Sequence, residues 1–148
     1  MKSFNIRVYG FLVEDNKLLL SREWYPFYSQ GMLKFPGGGM RMGEGVVDCL
    51  KREFKEETGV SLLDVALFHM AEGVLPCLFD GGKSQVVPVY YEILKYEGIL
   101  PVGVEQDIPE KRGRATLEWH EINKSVLNLL TFEADREAFA VFLSNREK

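Results

Sequence analysis

The chain reads as an α/β/α sandwich around a mixed β-sheet, and three observations predict it. Runs of alternating apolar and polar residues, the mark of half-buried strands, recur through the first two thirds of the sequence. One helical period, apolar at Val46, Val47, Leu50 and Phe54, interrupts them. Two more helical stretches, Asn123–Leu130 and Glu133–Leu143, close the chain, the second with Phe139 and Phe142 on an apolar side. Strands interleaved with helices pack as layers, with helices covering a sheet.

The elements follow in order. Phe4–Val13 and Lys17–Arg22 flank the turn Glu14-Asp15-Asn16 and predict a hairpin. Residues 23–31, EWYPFYSQG, read as an aromatic loop, and Leu33–Phe35 as a short strand running into Gly37, Gly38 and Gly39. Between Glu44 and Thr58 there is no proline, and Gly59 stands where a helix is closed by a left-handed residue. Leu63–Glu72 and Gln85–Lys95 read as strands joined across Asp80-Gly81-Gly82. Residues 97–115 carry Gly, Pro and charge and predict a long loop, followed by a short strand at Thr116–His120.

Composition narrows the class. The 148 residues suit a single domain, 1–148, with one core. Apolar content of 46% and charged content of 27% are those of a globular protein, and no apolar run reaches the length of a transmembrane helix. The opening MKSFNIRVYG alternates like a strand and lacks the pattern of a secretory leader. Cys49 and Cys77 make no disulfide framework, so a cytoplasmic location is expected. A net charge of −4 argues against bulk nucleic-acid binding. The one basic cluster, Lys111-Arg112-Gly113-Arg114, reads as a solvated loop, with a phosphate contact as the alternative.

The helix after the glycines carries the chemistry. At roughly 100° per residue, Val47, Leu50 and Phe54 form one stripe, and Glu53, Glu56 and Glu57 form a second beside it. Asp48, Lys51 and Lys55 fall on the far side. Carboxylates three and four apart on a helix repel, and a cation among them removes that cost. Few, hard oxygen ligands beside a phosphate suit Mg²⁺, with Mn²⁺ acceptable by the same ligand logic. A solvated helix laced by pairs such as Arg52–Glu56 is the competing account. The glycines before the helix let backbone approach a ligand closely.

From Gly38 to Val60 the sequence is GGMRMGEGVVDCLKREFKEETGV. It fits G-x5-E-x7-R-E-U-x-E-E-x-G-U, with U a bulky apolar residue, at every position. This resembles the signature box of the Nudix hydrolases, and the strand order resembles their fold. The resemblance implies metal-dependent hydrolysis of a diphosphate linkage in a nucleoside diphosphate derivative. Nucleoside triphosphates, ADP-ribose, nucleotide sugars and dinucleoside polyphosphates all remain open as substrate. It implies that Glu53, Glu56 and Glu57 hold the metal and that Glu56 or Glu53 activates the water. Arg52 would brace the ligands by pairing with a box glutamate, Glu44 first. Glu44 itself would reach the metal or brace the loop, and Gly37, Gly38 and Gly39 would cradle the diphosphate. Relatives often have a Trp where this chain has Leu33.

Outside the box, Arg22 lies where relatives often place a phosphate-binding Arg. Trp24, Tyr25, Phe27 and Tyr28 offer aromatic faces for a base, or cover a core edge or a homodimer contact. Glu118-Trp119-His120-Glu121 resembles a segment that lies near the site in relatives. Glu97, Glu105 and Glu110 are candidates for a further loop carboxylate. Two non-hydrolase accounts stay open: a binding module on the same fold, and a structural Ca²⁺ helix, which lacks the loop-borne ligands of a calcium site.

Overall fold

β1 (Phe4–Glu14) is the strand from which both layers of the core are built. Val8 and Leu12 point to one side of it, and Tyr9 and Phe11 to the other, as a period of two requires. A computed structural model describes residues 3–148; Met1 and Lys2, at the head of the alternating opening segment, lie outside it. β1 runs parallel to β7 (Gln85–Glu97), in register from Phe4↔Gln85 to Leu12↔Ile93. All the other strand pairings are antiparallel, so the sheet is mixed.

The turn at Asp15 and Asn16, with φ of 50° and 58°, returns the chain into β2 (Lys17–Tyr25). That pair of left-handed residues is the geometry of a tight hairpin. β1 and β2 then pair only at Val13↔Leu18 and Glu14↔Lys17. Beyond this point they diverge. β1 takes β4 (Gly37–Gly39) as its neighbour, and β2 takes β3 (Tyr28–Lys34) and β9 (Gly113–Glu121). Beyond β7 lie β5 (Ser61–Met70) and the short β6 (Leu75–Pro76), and β8 (Gln106–Ile108) edges β9. The sheet is thus split like a V, hinged at the β1–β2 turn, with a cleft between its arms.

Helices close both faces, which makes the α/β/α sandwich. α1 (Val46–Thr58) buries Cys49, Leu50 and Phe54 against Val8, Leu12, Leu19 and Leu117. Gly59, at φ 77°, ends it. On the opposite face a 3-10 segment, Lys124–Asn128, and α2 (Glu133–Arg146) bring Val126, Phe139 and Phe142 onto Phe11, Leu20 and Phe35. Phe11 and Phe35 stack at 3.8 Å between centroids. Each such buried ring contributes roughly 2–3 kcal/mol. No helix among the described residues is long and apolar enough to cross a membrane.

Several boundaries differ from the expectation. Residues 23–31 are not a loop: β2 runs on to Tyr25, and β3 starts at Tyr28, leaving Pro26 and Phe27 as the turn. The long loop at 97–115 holds β8 and a 3-10 turn, Pro109–Lys111. Asn123–Leu130 shortens to 3-10, because so brief a segment gains too little from α-helical bonds.

Asp135, in the first turn of α2, ties the helix to the sheet. It is buried, and its carboxylate accepts from the Tyr90 hydroxyl at 2.6 Å and from the Phe35 N–H at 3.4 Å. Burial outweighs both donors and pushes its pKa up from 3.8 to about 6. A raised acid favours the fold fully below its unfolded value, and that contribution is lost as pH rises through the folded value. Urea melts of the wild type and Asp135→Asn at pH 4 and pH 7 check this. The wild type should lose about 2 kcal/mol relative to the variant across that range; an unchanged difference would show that Asp135 does not titrate there.

Candidate active site

The cleft between the two arms of the sheet is a cavity of about 550 Å³. One wall is β4 with the exposed edge of α1, and the opposite wall is β2, β3 and β9. The glycines form a strand rather than the open loop expected, with Arg7↔Gly39, Val8↔Gly38 and Tyr9↔Gly37 in register with β1. Two of them leave no room for a Cβ, for different reasons. Gly37 has φ 149°, and a Cβ there would overlap the Val8 carbonyl oxygen. A Cβ on Gly38 would lie 2.6 Å from both carboxylate oxygens of Glu53. The bare backbone at Gly38 is therefore the space that Glu53 occupies.

Arg52 organises the helix side. Its Nε and Nη2 donate to the two oxygens of Glu44 at 2.9 and 2.7 Å. Nη1 donates to Glu53 at 2.8 Å and to Glu56 at 3.4 Å, and Nη2 also reaches the Gly39 carbonyl at 2.9 Å. One guanidinium thus binds the loop, the strand and the carboxylate row. The pairing with Glu56 that a solvated helix would favour is its longest contact to a carboxylate. Glu44 is fully engaged, since its Oε1 also accepts from the Arg41 N–H at 2.8 Å. The Arg52 bond holds its pKa down near 2. With its oxygens used in this way, Glu44 braces the loop.

Glu53 and Glu57 are half-buried, and Glu56 is exposed. Glu57 accepts from the Gly37 N–H at 2.9 Å. Burial drives its pKa well above the usual carboxylate range; Lys34 opposes this, while Glu23 and Glu53 add to it. A carboxylate held in this way is one that a cation would stabilise. Among the described residues no three His, Cys, Asp or Glu side chains gather closely enough to cage an ion. Asp48, Lys51 and Lys55 are exposed on the far side of the helix. Cys49 is buried, and burial lifts its thiol pKa to about 12, the environment of a structural rather than a reactive cysteine.

The opposite wall carries residues that sequence reasoning missed. Glu23 and Lys34 form an ion pair at 3.3 Å with side chains only 4% and 3% exposed. Ser21 at 2.9 Å and the Tyr25 hydroxyl also donate to Glu23. Lys34, Tyr25 and Ser21 together hold the Glu23 pKa down despite its burial. Such a pair is retained only when both charges are satisfied. The signal in the sequence was strand alternation: Ser21, Glu23 and Tyr25 face the cleft together. By the same alternation Arg22 and Trp24 face away. Arg22 pairs with Glu118 at 2.6 Å, and Glu118 also contacts His120 at 2.8 Å. Trp24 lies beneath Arg114. Neither residue lines the cleft, and Tyr28 does not either; of the aromatic run 24–28 it is Tyr25 that does, and Phe79 joins it from elsewhere in the chain. Of the loop carboxylates, Glu110 reaches the cavity wall, with Asp107, and Glu97 and Glu105 do not.

The two glycines provide a test of the geometry alone. Gly37→Ala should lower stability by more than about 3 kcal/mol in thermal melts, because backbone blocks the new methyl. Gly38→Ala should stay folded, because the end of the Glu53 side chain can move aside. Equal losses in the two variants would contradict this placement.

Comparison with known proteins agrees with the geometry. The family model for the NUDIX domain matches residues 3–142. The uncharacterized Nudix hydrolase YvcI of Bacillus subtilis is 28% identical over 112 residues, which cover 76% of this chain and 63% of that protein. An 8-oxo-dGTP diphosphatase of Escherichia coli is 32% identical over 76 residues, or 51% of this chain and 59% of that protein. The chain therefore spans less than two thirds of the length of these curated relatives. The crystal structure of a mutator MutT protein from Bacillus halodurans superposes with a TM-score of 0.65 at 25% identity, over 92% of this chain and 80% of that one. With the box assembled around Arg52 and the family model spanning nearly all of its length, the chain belongs to the Nudix family.

Proposed function

We propose that this domain hydrolyses a diphosphate linkage in a small nucleoside diphosphate derivative, using Mg²⁺ or Mn²⁺. The observation that carries this is the carboxylate row Glu53, Glu56 and Glu57, the first two bonded by Arg52 and the third by the Gly37 N–H, along a cavity floored by bare glycine backbone. The donor set fits the metal. Mg²⁺ keeps several waters and takes one or two carboxylates together with phosphate oxygens, so it needs an open row rather than a closed cage. Mn²⁺ accepts the same oxygens.

When bound, the ion neutralises the diphosphate and activates the attacking water. The residues of the chain do the positioning. Glu53 and Glu57 present oxygens at fixed places, one tied by Arg52 and the other by the Gly37 N–H. Glu56, exposed and weakly held, has the freedom to accept a proton from water, with Glu53 as the alternative base. Arg52 and Glu44 hold the row without touching the substrate. Gly37, Gly38 and Gly39 let the diphosphate approach the backbone. In phosphoryl transfer, positioning and charge neutralisation supply most of the rate.

Hydrolysis of a panel of nucleoside triphosphates, ADP-ribose, nucleotide sugars and dinucleoside polyphosphates tests the proposal. Activity should vanish in EDTA and return with Mg²⁺. Glu53→Gln and Glu57→Gln should each lower kcat at least about tenfold while the fold survives. In heavy-oxygen water the label should enter a phosphoryl product. Full activity in EDTA, or label on sugar carbon, would refute the mechanism.

A further inference from the structure

Two cations on the cavity wall are left without a carboxylate. Arg7 projects from β1 at the position paired with Gly39, beside the glycine strand. Its Nε donates to the Tyr9 hydroxyl at 2.7 Å, and among the described residues no group accepts from its two terminal nitrogens. Lys111 reaches the same cavity from the turn between β8 and β9. Both lie against one ring: the Arg7 guanidinium is 5.4 Å from the centroid of Phe79, and the Lys111 ammonium is 4.2 Å from it. Neither has an acidic partner within ion-pair distance among the described residues. The other cations that line the cavity are committed, Lys34 to Glu23 and Arg41 to Glu56 at 3.9 Å. Partial desolvation and repulsion by Arg7 and Lys34 depress the Lys111 pKa, so the three cations act on one another across the cavity.

A cationic pair of this kind is costly unless an anion enters. The box glutamates, by contrast, repel anions until a metal offsets them, so the cavity is lined by groups of both signs. A diphosphate lying along the glycine strand would pass beside Arg7, whose partner in the ladder is Gly39. A neutral sugar there would leave both cations uncompensated, whereas a further phosphate would neutralise them through charge-assisted hydrogen bonds.

We propose that Arg7 and Lys111 bind the phosphate adjoining the diphosphate held at the glutamates, so that this site takes nucleoside triphosphates in preference to diphosphates capped by a neutral sugar. The proposal rests on the diphosphate reading of the box, and its test separates the two. The first arm is kinetic, with dGTP and ATP against ADP-ribose. Lys111→Gln and Arg7→Gln should each lower kcat/KM for the triphosphates roughly ten- to a hundredfold, and that for ADP-ribose by less than about twofold. Arg7→Lys should recover part of the loss. Lys111 is exposed, so its variant folds even if Arg7→Gln does not.

The second arm needs no turnover: calorimetry with inorganic tripolyphosphate and pyrophosphate in Mg²⁺. The wild type should bind tripolyphosphate at least about tenfold more tightly, and Lys111→Gln should abolish the difference. Preferential tripolyphosphate binding by a protein that hydrolyses none of the panel would sink the hydrolase proposal and leave this one standing. Glutamate-dependent hydrolysis with equal losses for triphosphates and ADP-ribose, or with no loss, would overturn this one alone.

Discussion

Everything in the site depends on how one guanidinium is held. Arg52 projects from α1, a rigid element, and reaches Glu44 in the preceding loop, the Gly39 carbonyl on β4, and Glu53 one residue along its own helix. The planar fork of an arginine can make these bonds at once, and a lysine cannot. Without that cation, the loop, the strand and the helix would each present negative or electron-rich groups to the others. With it, three segments become one surface whose oxygens stand at fixed positions. Preorganisation of this sort is what separates a catalytic carboxylate row from an acidic helix face.

The sheet supplies the second constraint. Because β1 and β2 pair only beside their turn, the sheet opens into two arms. One arm carries β4 and the box helix, and the other carries Ser21, Glu23, Tyr25 and Lys34. The cleft is a consequence of strand divergence, so strands and the edge of α1 form most of its walls, completed by Arg41, Phe79 and the Pro109–Lys111 turn. The buried Glu23–Lys34 pair lies where these strands would otherwise present apolar residues to a charged ligand. Substituting either partner alone would leave an isolated charge in a nearly dry wall.

The box helix was fully legible in the sequence, because helical period, closing glycine and acidic spacing all converge within α1 and its flanks. The two-sided core was legible for the same reason: alternation in β1 and the phenylalanines of α2 specify faces without tertiary information. The other wall of the cleft was not. Glu23 and Lys34 are ordinary strand residues in sequence, and only the pairing of β2 with β3 brings them together. The aromatic run was misread because four rings around a proline look like a loop. In fact Tyr25, Phe27 and Phe79 pack on one another across elements far apart in sequence. Trp24 is the more conspicuous residue, yet strand alternation turns it away from the cleft and turns Tyr25 toward it. Arg7 carried no local signal, since only the fold shows that its terminal nitrogens meet no acceptor among the described residues.

The claim that Arg52 and Glu44 act as one brace is best tested by a double-mutant cycle on kcat, using Arg52→Gln, Glu44→Gln and the combined variant. If the pair positions the carboxylate row, each single change removes the brace and the double variant should be no slower than the slower single one. Losses that multiply in the double variant, or a single variant that retains the wild-type rate, would contradict the account.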